Sequence, residues 1–104
     1  MQEKLRLRNY TWDIYCIAKE QNMQRDVACD MFIANLNAGK ETYKGASGIN
    51  YEELGKKWKA MTVSEQHREK MDFNWIAKEY FKPLSEAWQA QNRKAFEAVV
   101  RGIE

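Results

Sequence analysis

Residues 51–80 constrain the fold more than any other stretch, because they predict a helix, a sharp corner and a second helix. Apolar side chains recur at spacings of three, four and three residues, which places them on one stripe of an α-helix: Tyr51, Leu54, Trp58 and Met61. Thr62 follows, with Glu65 three residues later. These two residues fit a capping box, in which each side chain binds a backbone N–H at the start of the next helix. The two helices are therefore expected to meet at Met61–Thr62.

The composition favours one small all-α domain that covers residues 1–104. Apolar residues make up 44% of the chain and include four Trp, five Tyr and four Phe, which is enough for a single core. The chain has one Pro and no long run of β-branched residues, which argues against strands. Its net charge is only +2, from 17 basic and 15 acidic side chains. A charge this small does not by itself indicate nucleic acid or an anionic membrane as partner.

Helices are also predicted on both sides of the central pair. One covers residues 1–22, although residues 4–8 alternate as a short strand would. A second runs from about 25 to 38 and ends at Gly39, since glycine takes the left-handed conformation without penalty. The central helices cover about 48–60 and 63–81, with Ser47 or Asn50 as cap of the first. A last helix covers about 83–101, and Pro83 is compatible with a kink or with a first turn.

The helix predicted over residues 63–81 has two apolar sides. Four side chains share one face: Phe73, Ile76, Ala77 and Tyr80. Met71 and Trp75 lie on nearly the opposite face. A helix that is apolar on two sides needs two packing partners. We expect the preceding helix to supply one, and the N-terminal helix or the C-terminal segment to supply the other.

No catalytic, metal-binding or cofactor-binding constellation is predicted, so we do not expect an enzyme. His67 is the one histidine and lies in a polar first turn, while Cys16 and Cys29 have no metal spacing and are expected to be buried, reduced thiols. The glycine-rich stretch GKETYKGASG at residues 39–48 lacks the P-loop pattern. No apolar run suits a signal peptide or a membrane span, so we expect an intracellular protein without a membrane partner.

The sequence LGKKWKAMT at residues 54–62, followed by Glu65, resembles the second helix of the high-mobility-group (HMG) box and the start of its third. The box is an L-shaped three-helix DNA-binding domain, and the resemblance covers about residues 25–90. Residues 1–22 then form an extra N-terminal helix, and residues 91–104 form the end of a C-terminal helix that follows Pro83. The resemblance implies a nuclear, architectural or transcription-regulatory protein.

The resemblance implies minor-groove or structure-selective DNA binding through nine residues: Arg25, Asn35, Lys40, Lys44, Ser47, Ile49, Asn50, Lys56 and Lys57. The chain also departs from the family, because Asp30 stands where many members place an apolar wedge. A carboxylate facing the minor groove is repelled by phosphates and cannot unstack bases. Ile49, near the other wedge position of the family, is the candidate substitute.

The alternative is a helical protein-interaction module, either a box that lost DNA binding or an unrelated bundle. Thirteen aromatic residues are many for a core of this size, so some are expected to form an exposed patch for a protein partner or a second copy. Four lysines on one concave surface with Ile49 would favour DNA: Lys40, Lys44, Lys56 and Lys57. An apolar patch elsewhere, with this surface broken by Asp30, Glu41 and Glu52, would favour the interaction module.

Overall fold

The computed structural model describes residues 4–103, which fold into helices and contain no strand. A 3₁₀ turn at Leu7–Tyr10 precedes six α-helices: α1 Thr11–Gln21, α2 Arg25–Ala38, α3 Tyr51–Lys59, α4 Val63–Glu79, α5 Phe81–Gln89 and α6 Arg93–Arg101. The predicted all-α class is confirmed. The radius of gyration, 13.0 Å, is that of a compact domain of about 100 residues. The ends of the predicted N-terminal and C-terminal segments, residues 1–3 and 104, lie outside the described residues.

The predicted corner between α3 and α4 is confirmed with its capping box. The Thr62 hydroxyl oxygen accepts the backbone N–H of Glu65 at 3.1 Å, and the Glu65 carboxylate accepts the N–H of Thr62 at 2.9 Å. Upstream, Gly39 ends α2 with a φ of 70°, and the Asn50 side chain caps α3 by accepting the N–H of Glu53. Local capping chemistry therefore sets three of the helix ends.

The N-terminal segment differs from the predicted helix over residues 1–22, because α1 begins only at Thr11. Residues 4–6 are not helical and run along α4. There the Leu7 N–H donates to a Glu69 carboxylate oxygen at 3.2 Å, and the Lys4 ammonium pairs with Glu65. These contacts replace the helical hydrogen bonds of the segment. Both alternatives from the sequence, helix and strand, are therefore wrong for residues 4–6.

The predicted last helix over residues 83–101 is two helices. The chain breaks after Gln89, with Gln91 in the left-handed region at a φ of 54°. The Asn92 side chain then caps α6 by accepting the N–H of Ala95 at 3.0 Å. Pro83 lies in the first turn of α5, where it costs no helical hydrogen bond, as one of the two alternatives allowed. The break allows α6 to pack back against α5.

Helix α1 lies between the two parts of the core. Ile14 and Ile17 pack in a cluster with α2, α3 and Phe73 of α4, where Phe32 and Trp58 are buried. Tyr15 packs in a second cluster, with α5, α6 and the second half of α4: Ile76, Leu84, Ala87, Phe96, Val100 and Ile103. The helix that lies outside the HMG-box resemblance is thus central to this fold.

Candidate interaction surface

Asn35, predicted as a DNA contact, lies inside the fold. Its side chain is fully buried, and its amide donates to the Tyr43 carbonyl at 2.9 Å. Its carbonyl oxygen accepts the backbone N–H groups of Thr42 at 3.0 Å and Tyr43 at 2.8 Å. These bonds satisfy backbone N–H and C=O groups of the α2–α3 loop that have no hydrogen-bond partner within a helix. The prediction for Asn35 is therefore wrong, because this side chain is a loop anchor that cannot reach DNA.

Three other predicted DNA contacts do meet in a shallow groove. Ile49, Asn50 and Lys57 line a volume of about 290 Å³ together with Tyr10, Gly48, Glu53 and Leu54. Ile49 is half-buried against the first core cluster, so only part of its side chain is available as a wedge. Glu53 places a carboxylate beside Lys57 in the same groove. This groove therefore combines one cation with one anion.

The remaining predicted contacts lie apart from that groove or are simply exposed. Ser47 lines a different groove, with Trp12 and Trp88. Arg25 stacks its guanidinium on two rings, 4.6 Å from the centroid of Tyr15 and 4.8 Å from that of Phe81. Three of the lysines are exposed: Lys40, Lys44 and Lys56. Ser47 and Ile49 therefore line two different grooves, and Arg25 lines a third, at the start of α2.

Asp30, at the expected wedge position, forms an ion pair with α4. Its carboxylate lies 2.7 Å from the Lys70 ammonium, and both side chains are partly exposed. This pair joins α2 to one flank of α4. On the opposite flank, the N-terminal segment binds Glu69 and Asp72. Neighbouring segments thus cover two flanks of α4 in addition to its buried face, and the remaining face is exposed to solvent.

Met71 and Trp75 lie on this exposed face, so the expectation that a packing partner covers it is wrong; the N-terminal segment does pack on α4, but along a flank. Their side chains are 46% and 44% exposed, and Phe81 at the start of α5 is 50% exposed. Val27, in the first half of α2, is also exposed. The Trp75 ring packs edge-on against Tyr80, with centroids 5.7 Å apart. We call Met71, Trp75 and Phe81 the α4 surface.

A groove of about 540 Å³ borders the α4 surface, between the start of α2 and the end of α4. Its lining includes Arg25, Asn74, Lys78 and Phe81. The Arg25 Nε and the Asn74 Oδ1 are buried and have no hydrogen-bond partner within residues 4–103. A buried polar group left unpaired costs about 1–3 kcal/mol. Both atoms have almost no accessible surface, so a ligand in the groove meets the other atoms of the Arg25 and Asn74 side chains.

Burial affects both thiols in the part of the chain that the structure describes. Burial, together with the charge of Asp30, raises the pKa of the Cys29 thiol to about 12. Burial also raises the pKa of Cys16, whose side chain is half-buried. His67 is exposed, as predicted. Across the part of the chain that the structure describes, no group of three His, Cys, Asp or Glu side chains is placed to hold a metal ion.

Hydropathy and comparison give two further findings. No helix within residues 4–103 combines the length and apolar character needed to cross a membrane. Comparison of the chain with protein-family models, curated proteins and solved structures finds no match. The HMG-box resemblance therefore stays a prediction. Inferences about function rest on the arrangement of the side chains.

Proposed function

We propose that this protein is a non-enzymatic helical protein-interaction module that binds its partner through the α4 surface. The observation that carries the proposal is the exposure of Met71, Trp75 and Phe81 beside a core that is already filled by two clusters. Large apolar side chains gathered on one surface are typical of interaction sites. Tryptophan in particular is enriched among residues that dominate binding energy.

The test is site-specific crosslinking from the α4 surface in cells. A photoreactive phenylalanine replaces Met71, and the matched control places it at Glu86, an exposed position of α5. We expect a crosslinked protein from position 71 only, and its loss when Trp75→Ser is added. Sedimentation of the purified chain shows whether the product is a second copy. Absence of any crosslink specific to position 71 would contradict the proposal.

Stability must be checked alongside, because Trp75 also contacts Tyr80. An edge-to-face aromatic pair contributes about 0.5–1.5 kcal/mol. More than half of Trp75 is also buried, so Trp75→Ser should lower the free energy of unfolding by about 2–3 kcal/mol, less than the loss for a fully buried tryptophan. Circular dichroism and urea unfolding separate lost binding from lost folding.

The second candidate function is DNA binding of the HMG-box type, minor-groove or structure-selective, in an architectural or regulatory nuclear protein. It is favoured by the groove that joins Ile49, Asn50 and Lys57, and by the exposed Lys40, Lys44 and Lys56 around the same loop and helix. Phosphate contacts would make the affinity fall steeply with salt. Glu53 in the groove and the buried Asn35 weigh against it.

A fluorescent duplex and a four-way junction, titrated at low and at physiological salt, test this second candidate. Preference for the junction, with a steep salt dependence, would support it. Lys56→Glu combined with Lys57→Glu should then abolish binding, while Lys94→Glu on α6 should not. Absence of binding at low salt would exclude DNA as the ligand.

A further inference from the structure

The side chains that border the α4 surface indicate the chemistry of its partner. We infer that the occupant is an amphipathic helix with acidic side chains along its edges. This inference rests on the proposed function, because it takes the α4 surface as the interaction site and names the class of partner. It is carried by the order of charged and apolar side chains on α4.

Four side chains, basic at both ends and apolar in the middle, form a stripe along the exposed side of α4. Arg68 lies three residues before Met71, and Lys78 lies three residues after Trp75. At about 1.5 Å per residue, the four side chains span about 15 Å of one helix side. A cation therefore stands at each end of the apolar pair. Lys82, exposed at the start of α5, adds a third positive charge beside Phe81.

These cations have no carboxylate partner within residues 4–103, where the ion pairs use other side chains. Lys4 and Arg8 engage Glu65 and Asp72 on one flank of α4. Asp30 on α2 engages Lys70 rather than a member of the stripe. Arg68, Lys78 and Lys82 thus keep their charge available for a partner.

Two carboxylates also lie near this surface and narrow the class of partner. Glu79 follows Trp75 by four residues, and Asp26 lines the groove next to Lys78; both are exposed. The negative charges of these two carboxylates would repel a uniformly anionic polymer. A peptide helix can place its acidic side chains at Arg68 and Lys78 only, with apolar side chains in between. Complementary charge of this kind fixes register and speeds association.

The exposed ridge of α4 also suits a helix in shape. Met71 and Trp75 are one turn apart, which is the spacing at which helices interdigitate. An amphipathic helix presents apolar anchors at i, i+3, i+4 and i+7. The adjoining groove, which Phe81, Arg25 and Asn74 line, receives the side chain or backbone that flanks those anchors.

Selection from an unbiased phage-displayed library of random peptides tests the inference with the full chain as target. Peptides that also bind the Trp75→Ser variant are removed, so that only ligands of the α4 surface remain. We expect selected sequences to combine Asp or Glu with apolar residues spaced by three and four. Synthetic versions should gain helical circular dichroism on binding. Arg68→Glu with Lys78→Glu should weaken their binding about tenfold or more, whereas Lys59→Glu with Lys94→Glu should not.

The other outcomes separate failure of the inference from failure of the proposed function. Neutral or basic peptides that need Trp75 but ignore the Arg68 and Lys78 reversals would overturn the acidic partner and leave the interaction surface in place. A thymidine oligonucleotide that binds in a manner dependent on Trp75 and Lys78 would overturn a peptide partner. Recovery of no peptide after the Trp75→Ser subtraction would overturn both proposals.

Discussion

At the scale of single residues, Asp13 is a buried carboxyl in the first turn of α1. Burial raises its pKa from 3.8 to about 6; the positive charge of Arg93 opposes the rise, and Glu97 adds to it. The folded state therefore binds more protons than the unfolded state between these two values. The stability that protonation contributes is present below about pH 4 and is lost as the pH rises through about 6. At about 1.4 kcal/mol per pKa unit, the loss is of the order of 3 kcal/mol.

Asp13→Asn should remove this pH dependence, because the amide stays neutral. The variant is expected to be more stable than the natural chain at pH 7, by up to about 3 kcal/mol, and to match it near pH 4. Urea unfolding between pH 4 and 7.5 measures the difference. Asp26→Asn replaces an exposed acid in the first turn of α2; it is the control and should not raise the stability at pH 7. A difference at pH 7 no larger than at pH 4 would contradict the interpretation.

At the scale of elements, α2 and α3 approach each other at Gly55. A Cβ added there would lie 2.2 Å from the Leu36 carbonyl oxygen, a backbone atom that cannot move aside. Alanine would favour the helix itself by about 1 kcal/mol. The clash should outweigh this gain, because it pushes two packed helices apart.

Gly55→Ala should therefore destabilise the fold by about 2–3 kcal/mol, within the usual cost of overpacking. Gly102→Ala is the matched control, because its Cβ would meet nothing closer than 3.5 Å and Gly102 has an αR conformation. Thermal unfolding of both variants is the measurement. A Gly55→Ala variant as stable as Gly102→Ala would show that the helices separate without penalty.

Local signals in the sequence predicted most of the helices, because caps and apolar spacing act over a few residues. The range of α2 and the Thr62–Glu65 box are the clearest cases. The break between α5 and α6 was missed, because the residue in the left-handed conformation is Gln91 and not the glycine that usually marks such a position. The Asn92 cap before Ala95 was the available clue.

The candidate site could be predicted only in part, because the packing of distant segments decides it. Exposed aromatics were expected, but the surface that carries them was not identified. The N-terminal segment and α2 occupy the flanks of α4, and this leaves Met71 and Trp75 in solvent. Asn35 was misassigned for the same reason, since its partners Thr42 and Tyr43 belong to a loop without periodicity.

At the scale of the whole molecule, Arg8 joins three parts of the chain. Its guanidinium binds both carboxylate oxygens of Asp72 on α4, at 2.9 and 2.7 Å, and donates to the Ile103 carbonyl at 2.8 Å. The two side chains are only 12% and 21% exposed. Such a bidentate pair ties the N-terminal segment to α4 and to the C-terminal end at once.

Arg8→Ala is expected to cost about 3 kcal/mol, because it leaves the Asp72 carboxylate and the Ile103 carbonyl without their donor in a largely buried place. Arg8→Lys should recover only part of this loss, since an ammonium cannot reproduce the planar bidentate geometry. Lys70→Ala, which breaks the more exposed pair with Asp30, should cost less than about 1 kcal/mol. Urea unfolding compares the three variants, and hydrogen exchange reports on residues 4–10. Equal losses for Arg8→Ala and Lys70→Ala would mean that the N-terminal segment is held by its apolar contacts, Leu5 and Leu7, rather than by Arg8.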